Sequence, residues 1–184
     1  MPSMGPLDIG ARYPQIGEMN DHLDPRSAVK MTIRGLVMDP TSNTPVVVLE
    51  NPDGNLLLPI WIGVCEANSI ALEIEGVAVP RPMTHDLIRD LLATAGCVVD
   101  HIFIHTLEDS VFKASIQLRD ANAVVHSVDS RPSDAIAIAL RAKVDVLVDP
   151  VVLEHGILNA TTVEETIREL LEKMRPEDMG EYEM

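Results

Sequence analysis

Residues 123–148, AVVHSVDSRPSDAIAIALRAKVDVLV, decide the class of fold. Ala123 to Val128 is β-branched and short enough for a strand, and Val144 to Val148 is a second such run. Between them Ser130-Arg131-Pro132-Ser133-Asp134 has the make-up of a helix entrance. Ser130 or Ser133 can cap, Pro132 loses nothing in a first turn, and Asp134 favours the positive helix end. The helix that follows, Ala135 to Arg141, is apolar on nearly every face, which predicts a central, buried position. Strand, buried helix and strand in succession imply helices packed on a sheet.

Working upstream, Val98 to Leu107 and Val111 to Leu118 read as strands, separated by the turn Glu108-Asp109-Ser110, with Asp120-Ala121-Asn122 turning into the quoted stretch. Arg81-Pro82-Met83-Thr84 introduces a helix ending near Ala95-Gly96, with Thr84 as a cap and Leu87, Ile88, Leu91 and Leu92 as its buried stripe. A helix from Gly63 to Gly76 carries Ala67, Ile70, Ala71 and Ile74 on one face, and Gly76 suits a left-handed C-terminal cap. Before it, Val29 to Met38, Val46 to Leu49 and Leu56 to Ile62 form a meander whose tightest turn is Asn51-Pro52-Asp53-Gly54-Asn55. Downstream, Thr162 to Met174 reads as an acidic amphipathic helix. The expected fold is α/β of the α+β type: a mixed, largely antiparallel sheet with helices packed against it, its order hinting at quasi-duplicated βββα halves. The expected division is a flexible N-terminal leader at 1–28, one domain at 29–150, and a helical extension with an acidic tail at 151–184.

Composition narrows the function. Of the 184 residues 46% are hydrophobic but only 3% aromatic, so the core is aliphatic. The net charge of −15 excludes coating nucleic acid by diffuse positive charge, because that affinity comes from Lys and Arg releasing counterions. Contact with nucleic acid then needs a local basic patch or a divalent metal. The cations lean to Arg, which suits bidentate contacts with carboxylate or phosphate. Cys65 and Cys97 form no CxxC pair, as in a reducing cytosol. The N-terminus has no signal-peptide pattern, and the longest apolar stretch, Leu56 to Val64, contains a proline and is too short for a bilayer. A cytoplasmic protein without membrane association is expected.

Three segments gather polar chemistry. Glu66 and Glu73 lie about two helical turns apart on one edge of the first helix, where they either hold a divalent metal or form an ordinary solvated edge. In Arg81-Pro82-Met83-Thr84-His85-Asp86, helix entry accounts for Pro82, Thr84 and Asp86, but not for Arg81 or for His85, an acid/base or ligand candidate. In Asp129-Ser130-Arg131-Pro132-Ser133-Asp134, Arg131 either binds an anion at the helix start or pairs with a neighbouring carboxylate, as does Arg81. No Walker loop, GxGxxG, HExxH, GxSxG or zinc-type spacing occurs.

These segments resemble the bifunctional nuclease domain family of bacterial and plant proteins. The resemblance runs through Ile33-Arg34-Gly35-Leu36, Leu58-Pro59-Ile60-Trp61-Ile62-Gly63 with Glu66-Ala67, Glu75-Gly76, Arg81 to Leu87 and Asp129 to Ala137, and ends with Pro176-Glu177-Asp178-Met179-Gly180. It implies a compact α/β fold that self-associates, so a homo-oligomer, and nuclease activity on DNA and RNA, ascribed chiefly to plant members. The expected chemistry is metal-assisted phosphodiester hydrolysis. Glu66, Glu73, Asp129 or Asp134 would hold Mg²⁺ or Mn²⁺, Arg81 and Arg131 would bind phosphate, and His85 or Asp86 would act as general base or acid. The alternative is a non-catalytic, self-associating regulatory or anion-binding module.

Overall fold

The computed structural model describes residues 27–158. Most of the expected leader, the Thr162 to Met174 helix and the acidic tail lie outside them. The described chain runs β1 (Val29–Asp39), β2 (Thr44–Glu50), β3 (Leu57–Trp61), α1 (Val64–Ile74), α2 (Thr84–Thr94), β4 (Val98–Glu108), β5 (Val111–Arg119), β6 (Val125–Ser130), α3 (Pro132–Ala142), β7 (Asp145–Val148) and α4 (Pro150–Leu158). The seven strands form one mixed sheet in the order β3-β2-β1-β7-β4-β5-β6, an α+β fold.

Two antiparallel meanders, β1-β2-β3 and β4-β5-β6, make the wings of the sheet. The last strand joins them: β7 pairs antiparallel with the start of β1 (Met31 opposite Val146) and parallel with β4 (Ile102 opposite Val146). A parallel partner requires a long crossover, and α3 supplies it between β6 and β7. β1 serves both neighbours, since Val29 to Met31 pair with β7 and the residues from Thr32 onward pair with β2, with an irregularity between Ile33 and Gly35.

α3 lies where its composition requires. Ala135, Ile136 and Ala137 are fully buried, and Ile138 and Ala139 nearly so, against Ile102, Ile104, Ala114 and Ile116 of the sheet. α1 and α2 both pack on α3. Gly76 and Gly96 close α1 and α2 with positive φ, and in each case the next residue's N–H reaches back into the last turn (Val77 to Leu72 O, Cys97 to Leu92 O, both 2.9 Å). Lys143 closes α3 in the same left-handed conformation at φ 55°, although no glycine marks the spot.

Several local expectations are corrected. Leu87 and Leu91 of α2 are exposed, and only Ile88 and Leu92 of the expected stripe pack on the core. α2 lies at the rim, and the residue it buries is His85. Ile74 at the end of α1 is likewise exposed. Neither expected hydroxyl cap forms. Met83 and Arg131 occupy the cap positions, with the Asp86 carboxylate accepting the Met83 N–H at 2.9 Å. A helix, α4, begins upstream of the Thr162 to Met174 segment read as helical from sequence, and its Val152 and Leu153 enter the core. Its Gly156 packs so closely on β3 that a Cβ there would meet Leu58 Cδ1 at 2.5 Å. No helix among the described residues is long and apolar enough to cross a membrane.

Candidate functional site

α1, α2 and α3 meet where their polar residues meet. The two Arg-Pro helix entrances are not equivalent: Arg131 sits immediately before α3, while Arg81 is an exposed loop residue before α2, with no hydrogen bond or ion pair among the described residues. The helix starts themselves are side by side, because His85 in the first turn of α2 reaches Asp134 in the first turn of α3 (Nε2 to Oδ1, 3.2 Å).

Arg131 is the hub of the outer cluster. Its Nε–H donates to Asp134 Oδ2 at 2.7 Å, and its Nη2 donates to Glu66 Oε1 at 2.7 Å and to Asp134 Oδ1 at 3.1 Å. The Arg131 side chain is nevertheless 67% exposed, against 17% for Glu66 and 29% for Asp134. The guanidinium therefore lies at the mouth of the site with carboxylates behind it. Gly63 allows this, since a Cβ at that position would collide with the Glu66 carboxylate. Burial pushes the Asp134 carboxyl up, but the hydrogen bonds from Arg131 and His85 outweigh it and leave the group more acidic than an ordinary aspartate. The Asp134 hydrogen bond in turn holds the Arg131 guanidinium more firmly protonated.

Behind this cluster the imidazole of His85 is sandwiched. Its Nδ1 lies 2.9 Å from the Ser69 hydroxyl, and the Ser69 residue is only 2% exposed. Serine, histidine and aspartate thus line up, yet the hydroxyl is walled off and cannot meet a substrate as a nucleophile.

The second cluster is structural. Arg141, at the far end of α3, has a side chain 2% exposed. Its Nε donates to Asp86 Oδ1 at 2.7 Å, its Nη1 to the Ala137 carbonyl at 2.9 Å and its Nη2 to the Ser69 carbonyl at 3.1 Å. Glu73 Oε2 lies 4.0 Å from the same Nε. Burial raises the Asp86 carboxyl, and the Met83 N–H and Arg141 together overcome it, lowering its value. Arg141, Asp86 and Glu73 line one side of a groove of about 280 Å³ between α1, α2 and the loop at Val77–Met83.

The residues singled out by sequence therefore fall into groups. Glu66, His85, Arg131 and Asp134 come together. Asp86 and Glu73 come together around Arg141, a residue the sequence reading passed over. Asp129 belongs to neither group: it is exposed at the end of β6, opposite Ser115, and its charge is felt at His105 and Lys113. Strand alternation sends it to the opposite face from its neighbour Ser130. The four carboxylates considered for a metal thus do not share one centre, and among the described residues no three His, Cys, Asp or Glu side chains form a metal-binding group. Ser69, like Arg141, was missed. A serine within a helical stripe carries no signal until its partner, sixteen residues on in the next helix, is known.

The chain is similar to known proteins over this region. An uncharacterised protein of Mycobacterium tuberculosis is 39% identical over 162 residues, covering 81% of this chain and 96% of that relative. Bifunctional nuclease 2 of Arabidopsis thaliana is 32% identical over 107 residues, covering 56% of this chain and 32% of the plant protein. Bifunctional nuclease 1 of Oryza sativa subsp. indica is 27% identical over 106 residues, again 56% of this chain and 32% of the relative. The family description "Bifunctional nuclease domain" matches residues 47–160, a span that holds β3, all four helices and both arginine clusters, and the chain belongs to the bifunctional nuclease domain family.

Proposed function

We propose that this protein is a nuclease that hydrolyses phosphodiester bonds of DNA or RNA, with Arg131 as its phosphate ligand. The observation that carries the reading is the posture of Arg131: an exposed guanidinium, aimed by two carboxylates, beside the only buried imidazole of the helix cluster. A phosphodiester approaching it exchanges with Glu66 and Asp134 for bidentate hydrogen bonds and receives a charge that stabilises the crowded, anionic transition state. Arg81, exposed in the loop before α2 and outside this cluster, would meet the polyanion elsewhere along its length. His85 Nε2, 3.2 Å from Asp134, lies where its N–H can hydrogen-bond a phosphoryl or leaving oxygen without giving up its proton, and the attacking water supplies the proton that the leaving oxygen takes up. Asp134 accepts from both groups and holds the two donors side by side.

The residues present do not make a carboxylate cage for Mg²⁺ or Mn²⁺. Of the four candidate carboxylates, only Glu66 and Asp134 adjoin each other, and Arg131 bridges them. The acidic chain has little general attraction for a polyanion, so this reading expects local, salt-sensitive contact through a few arginines. It also expects a cytoplasmic homo-oligomer.

Purified protein should cleave single-stranded or duplex DNA or RNA, assayed with and without Mg²⁺ or Mn²⁺. Identical preparations of Arg131→Ala should cleave about 10²–10³ times more slowly. Cleavage equal in both would remove Arg131 from the chemistry. Silence of both would favour the non-catalytic anion-binding module, whose binding would be read with inorganic phosphate.

A further inference from the structure

The outer cluster ends inward at a hydroxyl to which nothing above assigns a role. Ser69 is in the middle of α1, and its Oγ is 2.9 Å from His85 Nδ1. The other ring nitrogen, Nε2, is 3.2 Å from Asp134 Oδ1. Asp134 also receives two bonds from Arg131 and is held more acidic than usual, so it is ionised at neutral pH and can only accept. The proton between His85 and Asp134 therefore belongs to Nε2. In a neutral ring that leaves Nδ1 with a lone pair, and the group facing it must donate. Ser69 is that donor. Every polar atom in this line has a partner, and among the described residues no buried side-chain nitrogen or oxygen lacks one.

We propose that Ser69 is a positioning residue for His85: its hydroxyl, hydrogen-bonded to Nδ1, fixes the ring as the Nε2–H tautomer and points that N–H at Asp134 and at the mouth beside Arg131. Without it two features of the imidazole are free. A rotation of the ring by half a turn about χ2 would put carbon atoms where the nitrogens now stand, and only the Ser69 and Asp134 hydrogen bonds resist it. A buried Nδ1 would also lose its donor, which favours any rearrangement that finds another. The alternative role, serine as nucleophile, is closed by its burial and by the lone pair it faces: the base would take its proton into the interior, away from any substrate.

This inference rests on the nuclease reading for its consequence but not for its geometry, and the test separates the two. The full chain is labelled with ¹⁵N-histidine, and the His85 resonances, among six histidines, are assigned with His85→Gln. At a pH where the ring is neutral, the wild type should show a pyrrole-type Nε2 and a pyridine-type Nδ1, the latter shifted by hydrogen bonding. In Ser69→Ala the Nδ1 resonance should move to its unbonded position or the ring should populate both tautomers. Ser69→Thr, which keeps the hydroxyl, should restore the original pattern. Cleavage by Ser69→Ala should lose roughly ten- to a hundredfold in kcat, as for a misaligned hydrogen-bond donor, with KM unchanged because Arg131 still binds phosphate. A wild-type ring protonated at Nδ1, or an Nδ1 resonance indifferent to Ser69→Ala, would overturn the proposal. Failure of the wild type to cleave would instead bring down the nuclease reading, while the nitrogen shifts still decided whether Ser69 orients the ring.

Discussion

Replacing Arg141 by methionine should cost this protein far more stability than removing Arg131, although both are ion-paired arginines at the two ends of one helix. Arg141 is 2% exposed, and its guanidinium serves Asp86 and two backbone carbonyls at once. Methionine fills much of the volume but leaves the Asp86 carboxylate, itself only 16% exposed, without its counter-ion. Breaking one side of a buried pair costs about 3–5 kcal/mol. For a chain of this length each kcal/mol lowers Tm by about 2–4 °C, so a drop of roughly 6–20 °C is expected. Urea unfolding followed by circular dichroism gives the free energy, and differential scanning calorimetry gives Tm. The double variant Arg141→Met/Asp86→Leu should recover much of the loss, because the stranded charge is gone. A loss below about 1 kcal/mol, the scale of an exposed pair, would refute the reasoning. So would a double variant costing the full sum of the two single variants, since independent sites add and partners do not.

Other outcomes follow from the same geometry. Gly156→Ala should destabilise by about 1–3 kcal/mol through overpacking on Leu58, and a Cm equal to wild type in urea would show that α4 yields instead. Asp86 and Asp134 have lowered carboxyl values in the folded chain, so the stability they contribute is present above the unfolded value of about 3.9 and is lost as pH falls through their folded values. Urea midpoints measured down the acid range should therefore fall, and Asp86→Asn should flatten that fall. An unchanged slope would remove Asp86 as its source. Asp39 accepts hydrogen bonds from Ser42, Thr41 and the Trp61 indole, which hold its carboxyl down to about 2, and a carboxyl ¹³C titration with a midpoint near 4 would contradict those bonds.

The sequence was most legible where one physical signal dominated. α3 could be placed in the centre because no face of Ala135 to Arg141 offers a solvent side, and Gly76 marked a helix end because few other residues take φ of 65° without strain. α2 was misread because Leu87 and Leu91 look like a core stripe by spacing alone. Spacing says which residues share a face, whereas the packing of neighbouring helices decides which face is turned in. The caps were misread for a related reason: Thr84 and Ser133 have the right chemistry, but the carboxylate of Asp86 does the work at one start and Arg131 occupies the position at the other. Within the site, Glu66, His85, Arg131 and Asp134 were visible as residue types that fold-building alone did not require, or that it explained only in part. Their separation from Asp129 was not visible, because it depends on strand alternation at the last residues of β6. The roles of Ser69 and Arg141 depend on partners in other helices, and no local pattern carries that information.

On the nuclease reading, the exposed guanidinium of Arg131, held from behind by Glu66 and Asp134, is the group that acts on a phosphodiester. The measurement that bears on it most directly is single-turnover cleavage of a labelled oligonucleotide by wild type and Arg131→Ala, with Tm recorded for both. The variant's rate should be lower by about 10²–10³, the scale of losing one transition-state hydrogen-bond donor. Its stability should change by less than about 1 kcal/mol, as for so exposed a pair. Equal cleavage rates in two equally stable proteins would contradict that reading.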